Sequence, residues 1–521
     1  VIILRGTLRE RNVVKKDWRK VRLRIALCYP NIYRAGMTSF AIQLLYFLFN
    51  SVDDLACERV FYVPGEIPRS MESGQPLQHF DVLAFSLQFE IDYVHAIEML
   101  VRSGIPPLAE NRNRPFIIAG GPCAMENPFP MAPFIDAFLL GDLEPVFDQF
   151  VEALLHAKSR ADLESMLDDH FYMTGRNKGQ RSLIADLDQA AHPRCQILPE
   201  PPYPSVLEPT FGQSFLVEIS RGCDRHCNFC LTSYQCSPRR ERSLSLIETI
   251  IDEGTLCTKV DKVALIASAL ADHSQIYDLL ENIVAKGLKL SVPSLRADIA
   301  NLSILDTIKR GGQRTLTFAP EAGSQHLRAL VGKSISEETY LQTIGSAIGK
   351  GFNLFKLYFL IGLPTETDED IRGIEKFCTK LLSLNPRRHR LHVNVAPFVP
   401  KPHTPFQWLG LTPLADLKHR INLLRKLRRV SRIILDLPNP RWSVIQAALS
   451  KGTSELAPLI LAVAKEDKPT SSTWFRFARR LNIDLEAHAS AVSSIDTRLP
   501  WEIFDVGINR NILLRRYEGL E

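Results

Sequence analysis

The sequence predicts an α/β protein in three parts: a doubly wound parallel sheet, a partial (β/α)6 barrel and a C-terminal helical cap. Short β-rich runs alternate with helical stretches over 24–140 and again over 215–396, the pattern of parallel strands joined by crossover helices. Between the two runs Pro193, Pro199, Pro201, Pro202, Pro204 and Pro209 crowd together as a connector, and after about residue 435 helical pieces with Pro-rich joints take over. At 521 residues the chain is long for one core and comfortable for two or three, at roughly 100–200 residues per domain.

Residues 1–20 are charged and unpatterned, and read as an N-terminal arm. The first domain, 21–158, has strands at 25–29, 59–63, 82–87, 116–119 and 137–140, with helices at 36–50 and 91–102. Its strands end in turn chemistry such as Tyr29-Pro30-Asn31, Gly120-Gly121-Pro122 and Gly141-Asp142, and in open α/β sheets those carboxyl ends form the ligand crevice. A linker, 159–213, leads to the barrel, 214–434, with strands at 215–220, 262–266, 289–293, 315–319, 354–360 and 391–396. The remainder, 435–521, carries helices at 442–449 and 472–480.

Hydrophobic residues make up 45% and charged residues 23%, which excludes disordered, collagenous and coiled-coil classes. A net charge of +5 is too small to imply a nucleic-acid partner. No apolar run reaches the roughly 18–20 residues of a membrane span. The chain opens on Val1-Ile2-Ile3 without a signal-like region, so a cytoplasmic enzyme with no membrane partner is expected. Ten cysteines are too sparse for a disulfide scaffold, and the clustering of four between Cys223 and Cys236 points to metal or redox chemistry.

The strongest signal is the Cys-x3-Cys-x2-Cys of Cys223, Cys227 and Cys230, at the end of the first barrel strand. Three thiolates on one loop can hold three corners of a 4Fe-4S cluster and leave one iron open, as a catalytic site requires and a structural site does not. A structural zinc site with Cys236 or His226 as fourth ligand is the alternative. The loop, including Phe229 before the third cysteine, resembles that of the radical S-adenosylmethionine (radical SAM) enzymes, which implies a TIM-type barrel, a 4Fe-4S cluster and SAM as cofactor.

The resemblance implies that residues at successive strand ends receive SAM: Ser268 and Asp272, Ser294 and Arg296, then Glu321, Ser324 and Arg328, then Lys356 and Gly362. Glu321 and Arg328 suit the ammonium and carboxylate of the methionine moiety. Gly362-Leu363-Pro364-Thr365-Glu366-Thr367 resembles a family segment whose backbone approaches the adenine. A flavodoxin-like sheet ahead of such a barrel resembles the cobalamin-binding subclass. Tyr29, Asn31, Gly36, Met37, Ser86, Gln88, Gly120, Gly121, Gly141, Asp142 and Glu144 carry that match, with glycines letting a planar corrin approach the sheet edge. The Asp-x-His-x-x-Gly motif that supplies a cobalt ligand in many such domains is absent, so cobalamin is expected without a protein ligand.

Together these imply reduction of SAM to a 5′-deoxyadenosyl radical and methylation of an unactivated sp3 carbon. Tyr358 and Cys236 are candidate catalytic residues at the barrel mouth, with Tyr234 and His403 near them; the other reading of the Pro-rich loop 396–405 is a rigid barrel closure with His403 merely exposed. Leu499-Pro500-Trp501-Glu502-Ile503-Phe504-Asp505 and Asn439-Pro440-Arg441-Trp442 resemble the tail of a branch of cobalamin-domain radical SAM proteins. An electron donor and a peptide or protein substrate are the expected partners, the most specific candidate being a glutamine residue of a protein such as methyl-coenzyme M reductase. The alternatives are a cobalamin-free radical SAM enzyme acting on RNA or a small molecule, and a non-catalytic metal-binding adaptor. The segment 417–434, with Arg420, Arg425, Lys426, Arg428, Arg429 and Arg432 opposite Ile421, Leu424, Leu427 and Ile433, reads as a helix with a solvated face over a core stripe. A nucleic-acid surface is its other reading.

Overall fold

The computed structural model describes residues 8–385 and 389–519. Its first sheet comprises β1 (Leu23–Tyr29), β2 (Leu55–Phe61), β3 (Val82–Ser86), β4 (Phe116–Gly120), β5 (Ala137–Leu139) and β6 (Phe171–Tyr172). The spatial order is β2-β1-β3-β4-β5-β6, parallel through β5 and antiparallel at β6. Side chains alternate along each strand: Ile25 and Leu27 join the helix Phe40–Ser51 on one face, while Ala26 and Cys28 join the helix Asp92–Arg102 on the other. This is the flavodoxin-like order, and its switch point lies between the carboxyl ends of β1 and β3.

The second unit contains β7 (Phe215–Glu218), β8 (Lys262–Ile266), β9 (Lys289–Ser291), β10 (Thr315–Glu321), β11 (Leu354–Ile361), β12 (Arg390–Pro397) and β13 (Ile433–Asp436). Strands β7 to β9 form one parallel sheet and β10 to β13 another, linked by a bridge between Leu295 and Phe318. Among the described residues no ladder joins β13 to β7, so the barrel is open, as a partial barrel should be. Phe355, Leu357, Phe359 and Ile361 of β11 are buried under the outer helices, whereas Lys356 and Tyr358 face the opposite side.

The strand β13 is an addition to the six read from the sequence. The helix expected over 417–434 is Leu414–Leu424, followed by a tight turn at Arg425–Arg429. Ile433 and Ile434 then pair with Leu391 and His392 of β12, because β-branched residues beside an open sheet edge gain more from the ladder than from helical spacing. Ile421, Leu424 and Leu427 form the expected core stripe.

The segments flanking the first sheet are tied in. Within 1–20, Glu10 and Arg11 pair with Leu198 and Pro199; Val1 to Thr7 lie outside the described residues. The buried Glu10 carboxylate accepts from Arg59 and from Tyr33, each at 2.7 Å, and Glu72 holds the other side of Arg59 at 2.7 Å. Within 159–213, Cys195 is disulfide-bonded to Cys257 of the helix Leu244–Thr258. Arg242 donates to the carbonyls of Leu187, Ala190 and Ala191.

The C-terminal helices Pro440–Lys451, Ala457–Ala464 and Ser471–Arg480 share one apolar core with the Asp92–Arg102 face of the first sheet, through Val444, Ile460 and Trp474 against Met99 and Leu100. Phe40, Leu44 and Leu48 of the front domain likewise pack on Leu216 and Ala264 of β7 and β8. No helix among the described residues is long and apolar enough to cross a membrane.

Candidate functional site

Beyond β7, Ser220–Arg221 pairs antiparallel with Arg240–Glu241 and closes a hairpin around the cysteine loop. Gly222 is needed there: its φ is 81°, and a Cβ would fall 2.2 Å from the Cys236 carbonyl oxygen. Cys223 and Cys227 are buried and Cys230 half-buried. Burial pushes the Cys227 thiol up to about 11 against the pull of Lys333, and raises that of Cys230. These thiols therefore keep their protons until a metal centre displaces them. Among the described residues the three sulfurs do not gather within 4.8 Å of one another.

The loop docks on the turn after β10. Asn228 donates from its backbone to the Val331 carbonyl at 3.0 Å and from its side chain to that of Leu330 at 2.7 Å. Phe229 packs with Ala322, Leu327, Leu363, Phe398 and Phe406, so one small apolar cluster gathers the cysteine loop and the carboxyl ends of β10, β11 and β12. The His226 carbonyl accepts from Tyr234 at 3.0 Å and from Arg516, on the C-terminal helix Arg510–Glu518, at 2.7 Å.

Glu321 lies at a register irregularity of β10 with a left-handed φ of 68°, a strained setting typical of functional positions. Burial raises its carboxyl pKa while Lys333, 3.0 Å away, lowers it. Lys333 was not evident from the sequence, because the pairing depends on the turn that brings it back over β10. Arg328 is buried, donates to the Ala322 carbonyl and to Gln325 at 3.0 Å each, and has no ion pair among the described residues. Ser324 sits at the start of the helix Gln325–Leu330.

Asp272 accepts from Arg225 of the cysteine loop at 2.8 Å. Arg296 is paired with Asp298 at 2.7 Å, and Ser268 and Ser294 are exposed. Cys236 is half-buried, its thiol pushed up to about 11 by burial. Tyr358 is exposed on the inner face of β11 beside the half-buried Lys356. A Cβ on Gly362 would meet Leu417 at 2.9 Å and Thr412 at 3.1 Å, so the glycine admits the helix Leu414–Leu424. Its backbone N–H donates to Glu366 at 2.6 Å. Burial pushes that carboxyl up to about 7, and Arg420 pairs with it at 3.1 Å. Arg420 thus braces the turn rather than facing solvent.

The front-domain glycines also have close neighbours. A Cβ on Gly36 would strike Phe61 at 2.3 Å, one on Gly121 the Leu87 carbonyl at 2.6 Å, and one on Gly141 the Ser182 carbonyl at 2.1 Å. These glycines make room for the chain itself; Gly120 alone of the four has space, with Leu139 at 3.8 Å. Asp142 and Glu144 are held by Arg221 at 3.1 and 2.6 Å, and Asp142 also by Arg240 at 2.8 Å, which binds the first sheet to the base of the cysteine hairpin. Asn31 donates to Asp92 and Gln88 to Ser86, both at 2.9 Å. Tyr29 is buried, and Met37 receives Arg59 at 3.2 Å. What the switch point does offer is apolar surface: Ile32, just past β1, and Phe89, just past β3, are both exposed.

The largest feature missed by the sequence reading is a strap after β12. Lys401 reaches across to Glu90 and, at 3.2 Å, to Glu126, both 1% exposed. Gln446 and Ser450 of the C-terminal domain donate to the same two carboxylates. The three parts of the chain thus meet on one buried ammonium. Ligand atoms of Glu90, Cys123 and Glu126 lie within 4.8 Å of one another, but Lys401 supplies the positive charge there. His403 is buried on this strap, which removes the reading that had it merely exposed.

Residues 41–172 match the family model described as radical SAM proteins, N-terminal, and residues 217–378 match that of the radical SAM superfamily. An uncharacterised protein of Methanocaldococcus jannaschii is 32% identical over 436 residues, covering 83% of this chain and 89% of its own. An uncharacterised methyltransferase of Pyrococcus horikoshii is 30% identical over 289 residues, 53% of this chain and 61% of its own. The solved structure of TsrM, a radical S-adenosylmethionine methyltransferase from Kitasatospora setae with cobalamin and a 4Fe-4S cluster bound, aligns with a TM-score of 0.52. At 13% identity, over 76% of this chain and 75% of that one, the likeness is one of fold.

Proposed function

Because the chain belongs to the radical SAM superfamily, we propose that it is a cobalamin-dependent radical SAM methyltransferase acting on an unactivated carbon. The observation that carries this reading is the single apolar cluster that brings the three-cysteine loop against the ends of β10, β11 and β12. Cys223, Cys227 and Cys230 would hold the 4Fe-4S cluster, which when bound supplies the electron for SAM cleavage. Arg328, a buried guanidinium with no acidic partner among the described residues, would take the SAM carboxylate. Glu321 would take its ammonium, while Lys333 holds Glu321 and offsets the thiolate charge at Cys227.

For cobalamin, support comes from the exposed apolar pair Ile32 and Phe89 at the switch point, which suits a planar macrocycle; it does not come from the glycines. The second reading is a radical SAM enzyme without cobalamin acting on RNA or a small molecule. The substrate we propose is a peptide or protein in the cytoplasm, the specific candidate being a glutamine residue of a protein such as methyl-coenzyme M reductase, with a separate protein as electron donor. Anaerobic incubation with SAM, reductant, cobalamin and a glutamine-bearing peptide should give one added methyl per peptide by mass spectrometry. 5′-Deoxyadenosine without methylation would favour the second reading.

Arg328→Ala is expected to weaken SAM binding about tenfold or more, the value of a charge-assisted hydrogen bond, and to leave iron content unchanged. Equilibrium dialysis with labelled SAM, beside an iron assay, measures both; unchanged affinity would remove the assignment.

A further inference from the structure

A cavity of about 460 Å³ lies between the strap after β12 and the C-terminal segment, lined by His403 and Gln407 and by apolar residues such as Phe504, Ile508 and Leu513 beside the charged Asp496, Arg498, Glu502, Asp505 and Arg510. His403 is 4% and Gln407 1% exposed, yet the Nε2 atom of each has no hydrogen-bond partner. Buried polar atoms are nearly always satisfied, so two orphans on one cavity wall point to something that binds there.

Their neighbours fix what each orphan can do. The Gln407 Oε1 accepts from Trp501 Nε1 at 2.8 Å and from the His403 backbone N–H at 3.0 Å. Both are donors only, so the amide cannot be turned over and its free atom is the NH2 group. Burial pushes the His403 imidazole down to about 4, and its ring has a backbone hydrogen bond with Glu126. A neutral ring that donates to a carbonyl through Nδ1 presents a lone pair at Nε2. The ring is held in that pose by a left-handed backbone, φ 58°, and by Lys401 two residues earlier.

The wall therefore offers one donor and one acceptor with opposite needs. We propose that this cavity seats an amide group of the substrate, its carbonyl oxygen taking the Gln407 N–H and its own N–H facing His403. This rests on the proposed function only in treating the ligand as the substrate. The helix Arg510–Glu518, which lends Leu513 to the cavity, also holds the cysteine loop through Arg516. Peptide bonds and side-chain carboxamides share this chemistry, and the test separates them.

The probes are N-acetylglutamine N-methylamide, the matching glutamate γ-methyl ester, and N-acetylalanine N-methylamide, titrated calorimetrically into the full-length protein. A side-chain carboxamide site binds the glutamine probe at least about tenfold more tightly than its ester, which has lost the N–H, and more tightly than the alanine probe. A peptide-bond site binds all three alike, and an ester of the backbone linkage then loses that tenfold. His403→Phe, checked for folding by its melting curve, should abolish the amide-over-ester preference; if it does not fold, the ester series on the wild-type chain stands alone. Amide and ester bound equally in both series, no binding by any probe, or a crystal structure with only ordered water on the two nitrogens would each overturn the proposal. Iron content and SAM cleavage are measured separately, so loss of this site leaves the proposed chemistry standing, and loss of that chemistry leaves probe binding intact.

Discussion

Replacing Cys223, Cys227 or Cys230 by alanine will strip the protein of its iron and reduce SAM cleavage to background. Each thiol occupies a separate corner of one loop, pinned by Asn228 to the turn after β10 and by Phe229 to the apolar cluster, and no nearby donor is placed to substitute. Cys236 stands outside the Cys-x3-Cys-x2-Cys spacing, and its carbonyl is packed against Gly222. Anaerobic reconstitution, followed by iron and sulfide determination and a 5′-deoxyadenosine assay, reads the effect. Cys236→Ala should keep its iron, and full iron content in any of the three loop variants would end the cluster assignment.

Lys401→Met will be the most destabilising single change at the domain junction. It leaves the Glu90 carboxylate, joined by that of Glu126 once the pH passes about 8, buried without a counter-ion, and breaking a buried pair from one side costs about 3–5 kcal/mol. Urea unfolding followed by tryptophan fluorescence should show the loss, and Glu126→Gln in the same background should restore part of it. The junction also sets a pH dependence. Burial and the neighbouring Glu90 push the Glu126 carboxyl up to about 8 from its ordinary 4.5, so between those values the folded chain holds a proton that the unfolded chain has released. Stability is then greatest below the ordinary carboxylate range and falls as pH rises through about 8. Glu126→Gln should flatten that slope; an unchanged slope would show that another group carries it.

The cysteine loop was legible because cluster chemistry is written in local spacing, and the flavodoxin-like order because each crossover strand and helix carries its own periodicity. The residues that complete the site were less so. Lys333 meets Glu321 only through a turn, and Lys401 meets Glu90 across more than half the chain. The glycines show a different limit. Sequence reveals that a position tolerates no side chain, but not whether a ligand or the protein fills the space; at Gly121, Gly141 and Gly362 the protein does. The burial of His403 among prolines was not legible, because nothing local foretells that Lys401 will draw its loop inward.

The apolar core shared by the first sheet and the last helices has a consequence for how such an enzyme admits its substrate. Met99 and Leu100 pack in one cluster with Val444, Ile460 and Trp474, so the two ends of the chain cannot part without exposing a hydrophobic interior. Large swinging of the front domain during turnover is thereby suppressed, and the C-terminal helix is tied into the same core through Leu513. The same continuity makes the N-terminal and C-terminal regions unfold as one cooperative unit. Limited proteolysis should therefore cut the chain without releasing a stable front domain, and an evolutionary exchange of that domain alone would leave a hydrophobic wound on both partners.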